Sequence, residues 1–199
     1  MTKIKICGLF RDCDIDFVNE AMPDYIGFVF AKSHRQVSVK QADLFRKKLN
    51  KNIISVGVFV NNDIEEIQKI YNDGIISIAQ LHGSEDNNYI SELRKNCNIK
   101  IIKSVNASAD IDIQKIKNID ADFLLFDGGI GGEGKTFDWN IMSEIEKPFF
   151  LAGGLNIDNI DEAIKKVKPY AVDLSSGVET DRVKDKQKIL NIVRRVKNV

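Results

Sequence analysis

Residues 129–136 read GIGGEGKT, directly after the apolar run DFLLFD (122–127). Taken literally, the eight residues satisfy G-x-x-x-x-G-K-[ST], the loop whose backbone amides wrap nucleotide phosphates where a helix begins. That reading implies an open nucleotide-binding sheet. The alternative is a glycine-rich connection after the sixth strand of a barrel, with different chemistry. A phosphate loop needs its helix to start at the Lys-Thr pair, but Phe137, Asp138 and Trp139 follow Thr136, and Asp138 is the natural N-cap. No later strand offers a convincing magnesium-binding Asp. GIGGEGKT therefore reads as a loop, with Lys135 lying over a site. Asp127, at the strand tip before it, becomes a candidate acid or base.

The rest of the chain supports the barrel. Short apolar runs recur at 3–7 (KIKIC), 25–30 (YIGFVF), 53–59 (IISVGVF), 75–80 (IISIAQ), 99–104 (IKIIKS), 122–127, 148–153 (PFFLAG) and 170–175 (YAVDLS). Several are apolar on both faces, as expected of parallel strands buried under helices. Between them lie amphipathic stretches, among them Asp14 to Met22, Asp63 to Tyr71 with Asp63 as N-cap, Asp158 to Val167 and Asp185 to Val196. A fifth helix around 111–118 looks short. Strand–helix alternation means right-handed βαβ units, and eight of them predict closure into a (β/α)8 TIM barrel, an α/β fold in which 199 residues leave little room for insertions. The rival is an open doubly wound sheet. No Ser/Gly/Pro-rich linker divides the chain, so residues 1–199 are expected to form a single compact domain.

Composition excludes several function classes. Lys and Arg number 29 and Asp and Glu 29, so no global field recruits nucleic acid or an anionic membrane. Cys7, Cys13 and Cys97 show no metal-binding spacing, and their odd number argues against a disulfide framework. No metal site is expected. A reducing cytoplasm fits best. No apolar stretch approaches the ~20 residues needed to span a bilayer, and KIKIC is too short for a signal sequence core.

In a barrel the chemistry belongs at the C-terminal ends of the strands, and an anion is held by backbone amides of the seventh and eighth loops. LAGGLN (151–156) and LSSGVET (174–180) stand at those places. Gly153, Gly154, Ser176 and Gly177 are accordingly candidate phosphate-binding residues, the glycines allowing close approach.

Together with KICG (5–8), GFVF-KS-R (27–35), VGVFVN (56–61), QLHG (80–83) and LLFD with GGEGKTFDW (124–139), LAGGLN and VDLSSGVE (172–179) form an ordered set along nearly the whole chain. The set resembles the phosphoribosylanthranilate isomerase family of tryptophan biosynthesis. The resemblance implies a phosphate-binding barrel and an Amadori rearrangement of N-(5′-phosphoribosyl)anthranilate, with a small-molecule phosphoribosyl substrate and neither metal nor cofactor. It assigns general base to Cys7 and general acid to Asp127. It makes Arg35 the partner of the anthranilate carboxylate and gives Asp173 a substrate-positioning role. His82 is a possible secondary residue, more simply a structural strand-end histidine. For this chemistry the Cys7 pKa should lie below a free thiol's ~8.5 and that of Asp127 above ~3.9. The sequence departs from the family where SHRQV (33–37) replaces a pattern nearer SPRYV; His34 and Gln36 change the loop while Arg35 remains. Monomer and homodimer are both compatible with the chain.

Overall fold

The computed structural model describes residues 1–106, 112–128 and 144–199. GIGGEGKT, with Lys135 and the N-cap expected at Asp138, lies outside the described residues. Eight parallel strands close into a barrel: β1 (Lys3–Cys7), β2 (Tyr25–Val29), β3 (Ile54–Phe59), β4 (Ile78–Leu81), β5 (Lys100–Asn106), β6 (Phe123–Asp127), β7 (Phe149–Leu151) and β8 (Ala171–Leu174). Closure is made by β1 on β8, with Lys3 opposite Ala171 and Lys5 opposite Asp173. Around the strands lie α1 (Asp12–Ala21), α2 (Val39–Lys48), α3 (Ile64–Asn72), α4 (Asn87–Arg94), α5 (Ile113–Lys117), α6 (Ile160–Val167) and α7 (Lys186–Val196). The fifth helix is indeed short. The expected barrel is the observed fold, and the open sheet is excluded by the β1–β8 pairing.

The alternation of strand side chains builds two cores. Outward residues such as Ile4, Ile6, Ile26 and Phe28 pack with Ile15, Val18, Ile189 and Ile192 of the helices. Inward residues Tyr25, Val56, Ile78, Ile102, Leu125, Phe150 and Ala171 fill the barrel. Both faces are thus apolar, and the strands read as uninterrupted apolar runs for this reason. The lower end is shut by the Tyr25 and Tyr170 hydroxyls, 2.8 Å apart, with the Lys3 ammonium over both rings.

Two helix starts differ from expectation, and a third lacks its cap bond. Helix α1 begins at Asp12, two residues early, because the buried Asp14 carboxylate turns back to accept from the Phe10 and Arg11 amides. Asp63 does precede α3, but its side chain makes no capping hydrogen bond. Helix α6 starts at Ile160, since Asn159 uses its side chain to accept from the Asn156 amide within the preceding loop.

After β8 comes a single 3-10 turn, Ser176–Val178, and then a hairpin of β9 (Glu179–Thr180) and β10 (Val183–Lys184). Its two-residue turn puts Asp181 and Arg182 at φ of 50° and 64°. A turn with two left-handed residues usually carries Asn or Gly. The two strands it joins carry Glu179 and Lys184, which pair with each other across the hairpin.

Candidate active site

Inward-facing residues at the strand tips and the loops beyond them enclose a cavity of about 420 Å³. Cys7, Arg35, His82, Asp127, Gly153, Gly154, Asp173 and Ser176 all line it. Gly177 is not among the lining residues.

Cys7 ends β1 and is buried. Its Sγ lies across the neighbouring β2 at Gly27, where an added Cβ would meet the sulfur at 2.6 Å. One step down the same face of β1, Lys5 is wholly buried and donates to Asp173 Oδ2 at 2.8 Å. Burial pushes the Cys7 thiol up; the Lys5 ammonium opposes this without cancelling it. The free thiol thus lies above its ordinary value, contrary to the sequence-based expectation, because the barrel interior desolvates it.

Asp127 ends β6 and is more open, with its Oδ2 at 3.3 Å from His82 Nε2. That hydrogen bond pulls its carboxyl below the usual value and outweighs the opposing effect of burial. The expectation of a raised value fails here also, since His82 supplies a donor that the sequence did not connect to Asp127. His82 is itself oriented by Gln80, whose Nε2 lies 3.0 Å from Nδ1. With the amide nitrogen donating, Nδ1 accepts and the imidazole proton sits on Nε2, aimed at Asp127. His82 is thus a direct partner of the candidate acid.

Arg35 sits in the β2–α2 loop and is clamped by a residue that sequence reasoning missed. Its Nε and Nη2 donate to Glu179 Oε1 and Oε2 at 2.7 and 2.8 Å. Lys184, opposite Glu179 in the hairpin and fully buried, also donates to Oε1. Burial by itself would raise the Glu179 pKa, but the bonds from Arg35 and Lys184 win and bring it down to about 2. Glu179 therefore stays ionised across any physiological pH and holds one edge of the guanidinium. The loop's unusual residues leave that arrangement intact. Gln36 donates to the Phe30 carbonyl at 2.9 Å, and the His34 ring meets Phe10 edge-on.

Gly153 and Gly154 both have positive φ, 93° and 67°, and turn the β7–α6 loop over the mouth. Gly177 is also required by packing. A Cβ there would lie 1.9 Å from the Leu155 carbonyl oxygen, so this glycine lets the eighth loop rest on the seventh. Ser175 and Ser176, not Gly177, face the cavity. Among the described residues no group of three His, Cys, Asp or Glu side chains is placed to hold a metal ion. Cys13 and Cys97 are free, half-buried thiols away from the mouth. Among the same residues no helix is long and apolar enough to cross a membrane.

The chain matches a model of the N-(5′-phosphoribosyl)anthranilate (PRA) isomerase family over residues 4–195. It is 50% identical over 198 residues to the N-(5′-phosphoribosyl)anthranilate isomerase of Endomicrobium trichonymphae, covering 98% of each chain. The corresponding protein of Clostridium acetobutylicum is 46% identical over 205 residues, covering 99% of this chain and 98% of its own. Among solved structures, the phosphoribosylanthranilate isomerase of Thermotoga maritima superposes with a TM-score of 0.86 at 33% identity, over all of both chains. One in complex with reduced 1-(o-carboxyphenylamino)-1-deoxyribulose 5-phosphate gives 0.85 at 32%, again over all of both chains. A 3-hexulose-6-phosphate synthase, 13% identical with a TM-score of 0.71, shares the fold alone. On the full-length family match and the identity of these relatives, the chain belongs to the N-(5′-phosphoribosyl)anthranilate isomerase family.

Proposed function

We propose that the chain carries out its family's reaction, the Amadori rearrangement of N-(5′-phosphoribosyl)anthranilate in tryptophan biosynthesis, with Cys7 as general base and Asp127 as general acid. The supporting observation is their placement: two proton-transferring groups on β1 and β6, facing one cavity whose rim carries Arg35 and the two glycine-turned loops. Asp127 protonates the furanose oxygen, the ring C–O bond breaks, and the nitrogen lone pair forms the Schiff base. The iminium acidifies C2′–H, whose proton passes to the Cys7 thiolate while the electron pair forms the enolamine. Tautomerisation gives the ketone. The sequence of steps is redox-neutral and needs no cofactor.

His82 Nε2–H donates to the carboxylate form of Asp127, so the acid step calls for the carboxyl to be protonated once substrate is bound. A substrate bearing a phosphate and a carboxylate adds negative charge to the mouth, which favours the protonated carboxyl. The phosphate sits on the amides of Gly153–Gly154 and Ser176–Gly177, and Arg35 pairs with the anthranilate carboxylate through the edge not taken by Glu179. Asp173 Oδ1 is buried with no hydrogen-bond partner in the described structure. It is an acceptor suited to a substrate hydroxyl or amine. The phosphorylated substrate and free thiols suit a cytoplasmic enzyme.

Loss of phosphoribosylanthranilate fluorescence in the presence of the purified chain tests the reading, and no turnover with Cys7 and Asp127 intact would sink it. Arg35→Ala should lower kcat/KM by roughly 10- to 100-fold, the equivalent of about 1.5–3 kcal/mol for hydrogen bonds between charged groups. Glu179→Gln should follow in the same direction by less. Unchanged kcat/KM in Arg35→Ala would remove it from carboxylate binding. Gly177→Val should raise KM more than it lowers kcat, since the side chain must push the eighth loop off the Leu155 carbonyl. Steady-state kinetics at saturating and limiting substrate separate the two. A drop in kcat alone would contradict this account of the loop.

A further inference from the structure

Lys5 is an ammonium inside a barrel filled mainly by apolar side chains, and it is wholly shielded from water. Replacing a buried ion pair by apolar residues of similar size is often neutral or stabilising, so the Lys5–Asp173 pair is poorly explained by stability. Its position suggests another purpose. Lys5 and Cys7 are two apart on β1 and point the same way, and the β1–β8 register sets Lys5 directly beside Asp173. Gly27, the neighbour of Cys7 on β2, brings no charge and leaves the sulfur room.

We propose that Lys5 is a positioning residue for the reaction: its ammonium, clamped by Asp173 inside the barrel, is the counter-charge that allows Cys7 to exist as a thiolate. The proposal rests on the reading of Cys7 as the base. The charges facing Cys7 are Lys5 from β1, Asp173 from β8, Lys184 from β10 and Arg35 from the β2–α2 loop. Lys184 and Arg35 are both engaged by Glu179. Lys5 acts on the sulfur more strongly than Lys184, and its own pKa lies above the ordinary value despite burial, because Asp173 and Cys7 favour its charge. As the C2′ proton passes to sulfur, the negative charge leaves Cys7 and the Lys5–Asp173 pair remains balanced without any side-chain movement.

The two members of the pair must act on Cys7 with opposite signs, and this supplies the test. In a Cys13→Ser/Cys97→Ser background Cys7 is the sole thiol, and the pH dependence of its alkylation by iodoacetamide reports its ionisation directly. Lys5→Met should move the midpoint up by about one pH unit or more, slowing alkylation at pH 7 about tenfold. Asp173→Asn should move it down, and Lys5→Arg should stay near the parent. Should Lys5→Met fail to fold, Lys5→Met/Asp173→Asn removes both charges, and its midpoint should lie above that of Asp173→Asn alone. An unchanged midpoint in Lys5→Met, a shift of the same sign in both single variants, or equal midpoints in the last comparison would overturn the proposal. The kcat at pH 7 of Lys5→Met should fall with the thiolate fraction. Slower alkylation with undiminished kcat would instead refute Cys7 as the base while leaving its pairing with Lys5 standing.

Discussion

Cys7→Ser is expected to lower kcat by at least about 10²-fold, nearly as much as Cys7→Ala, with KM changed far less. The substitution keeps the shape of the side chain against Gly27 but replaces an ionisable thiol with a hydroxyl that is neutral near pH 7. The sign of the pH dependence follows from burial. A base must be unprotonated, so activity rises with pH through its ionisation. With the Cys7 thiol pushed above its ordinary value, this rising limb falls on the alkaline side. It should disappear in the serine variant, whose residual rate would be flat there. Steady-state kinetics by fluorescence between about pH 6 and pH 9.5, a range bracketing the free thiol's ~8.5, would show it. Near-wild-type turnover in Cys7→Ser would take the thiolate out of the mechanism and turn attention to His82 or Asp173.

The parts legible in the sequence are those governed by local pattern. Runs such as IISVGVF and DFLLFD are apolar on both faces because the barrel buries both, and eight of them with helices between are sufficient to indicate closure. The strand tips then place Cys7, Asp127 and Asp173 at one end with no further information. The helix starts were less legible, since Asp14 and Asp63 are both plausible caps by type. Only the structure shows Asp14 folded back on the Arg11 amide and Asp63 making no cap hydrogen bond.

The partners of the site residues were not legible, because they come from distant sequence. Lys5 meets Asp173 across 168 positions, Arg35 meets Glu179 across 144, and both pairings depend on barrel closure. The hairpin that presents Glu179 and Lys184 lacks the Asn-Gly signature that would announce it, its turn being Asp181–Arg182. The failed pKa expectations have the same origin. They followed from what the chemistry requires, whereas the free site is set by what surrounds each group: a desolvating interior for Cys7 and a histidine for Asp127. Substrate binding must close that difference.

Asp127 offers the sharpest test of that last point. Asp127→Asn should lower kcat by at least about 10²-fold, because an amide preserves the contact with His82 but has no proton to deliver to the ring oxygen. His82→Asn makes a finer prediction. It removes the hydrogen bond that lowers the Asp127 pKa, so the carboxyl rises toward its ordinary value. An acid must be protonated, so the falling limb of kcat should move to higher pH in His82→Asn, and kcat along that limb should exceed that of wild type. Asp127→Asn should show no such limb. The same falling limb in wild type and His82→Asn would show that the His82 hydrogen bond does not set the ionisation of Asp127 in the working complex.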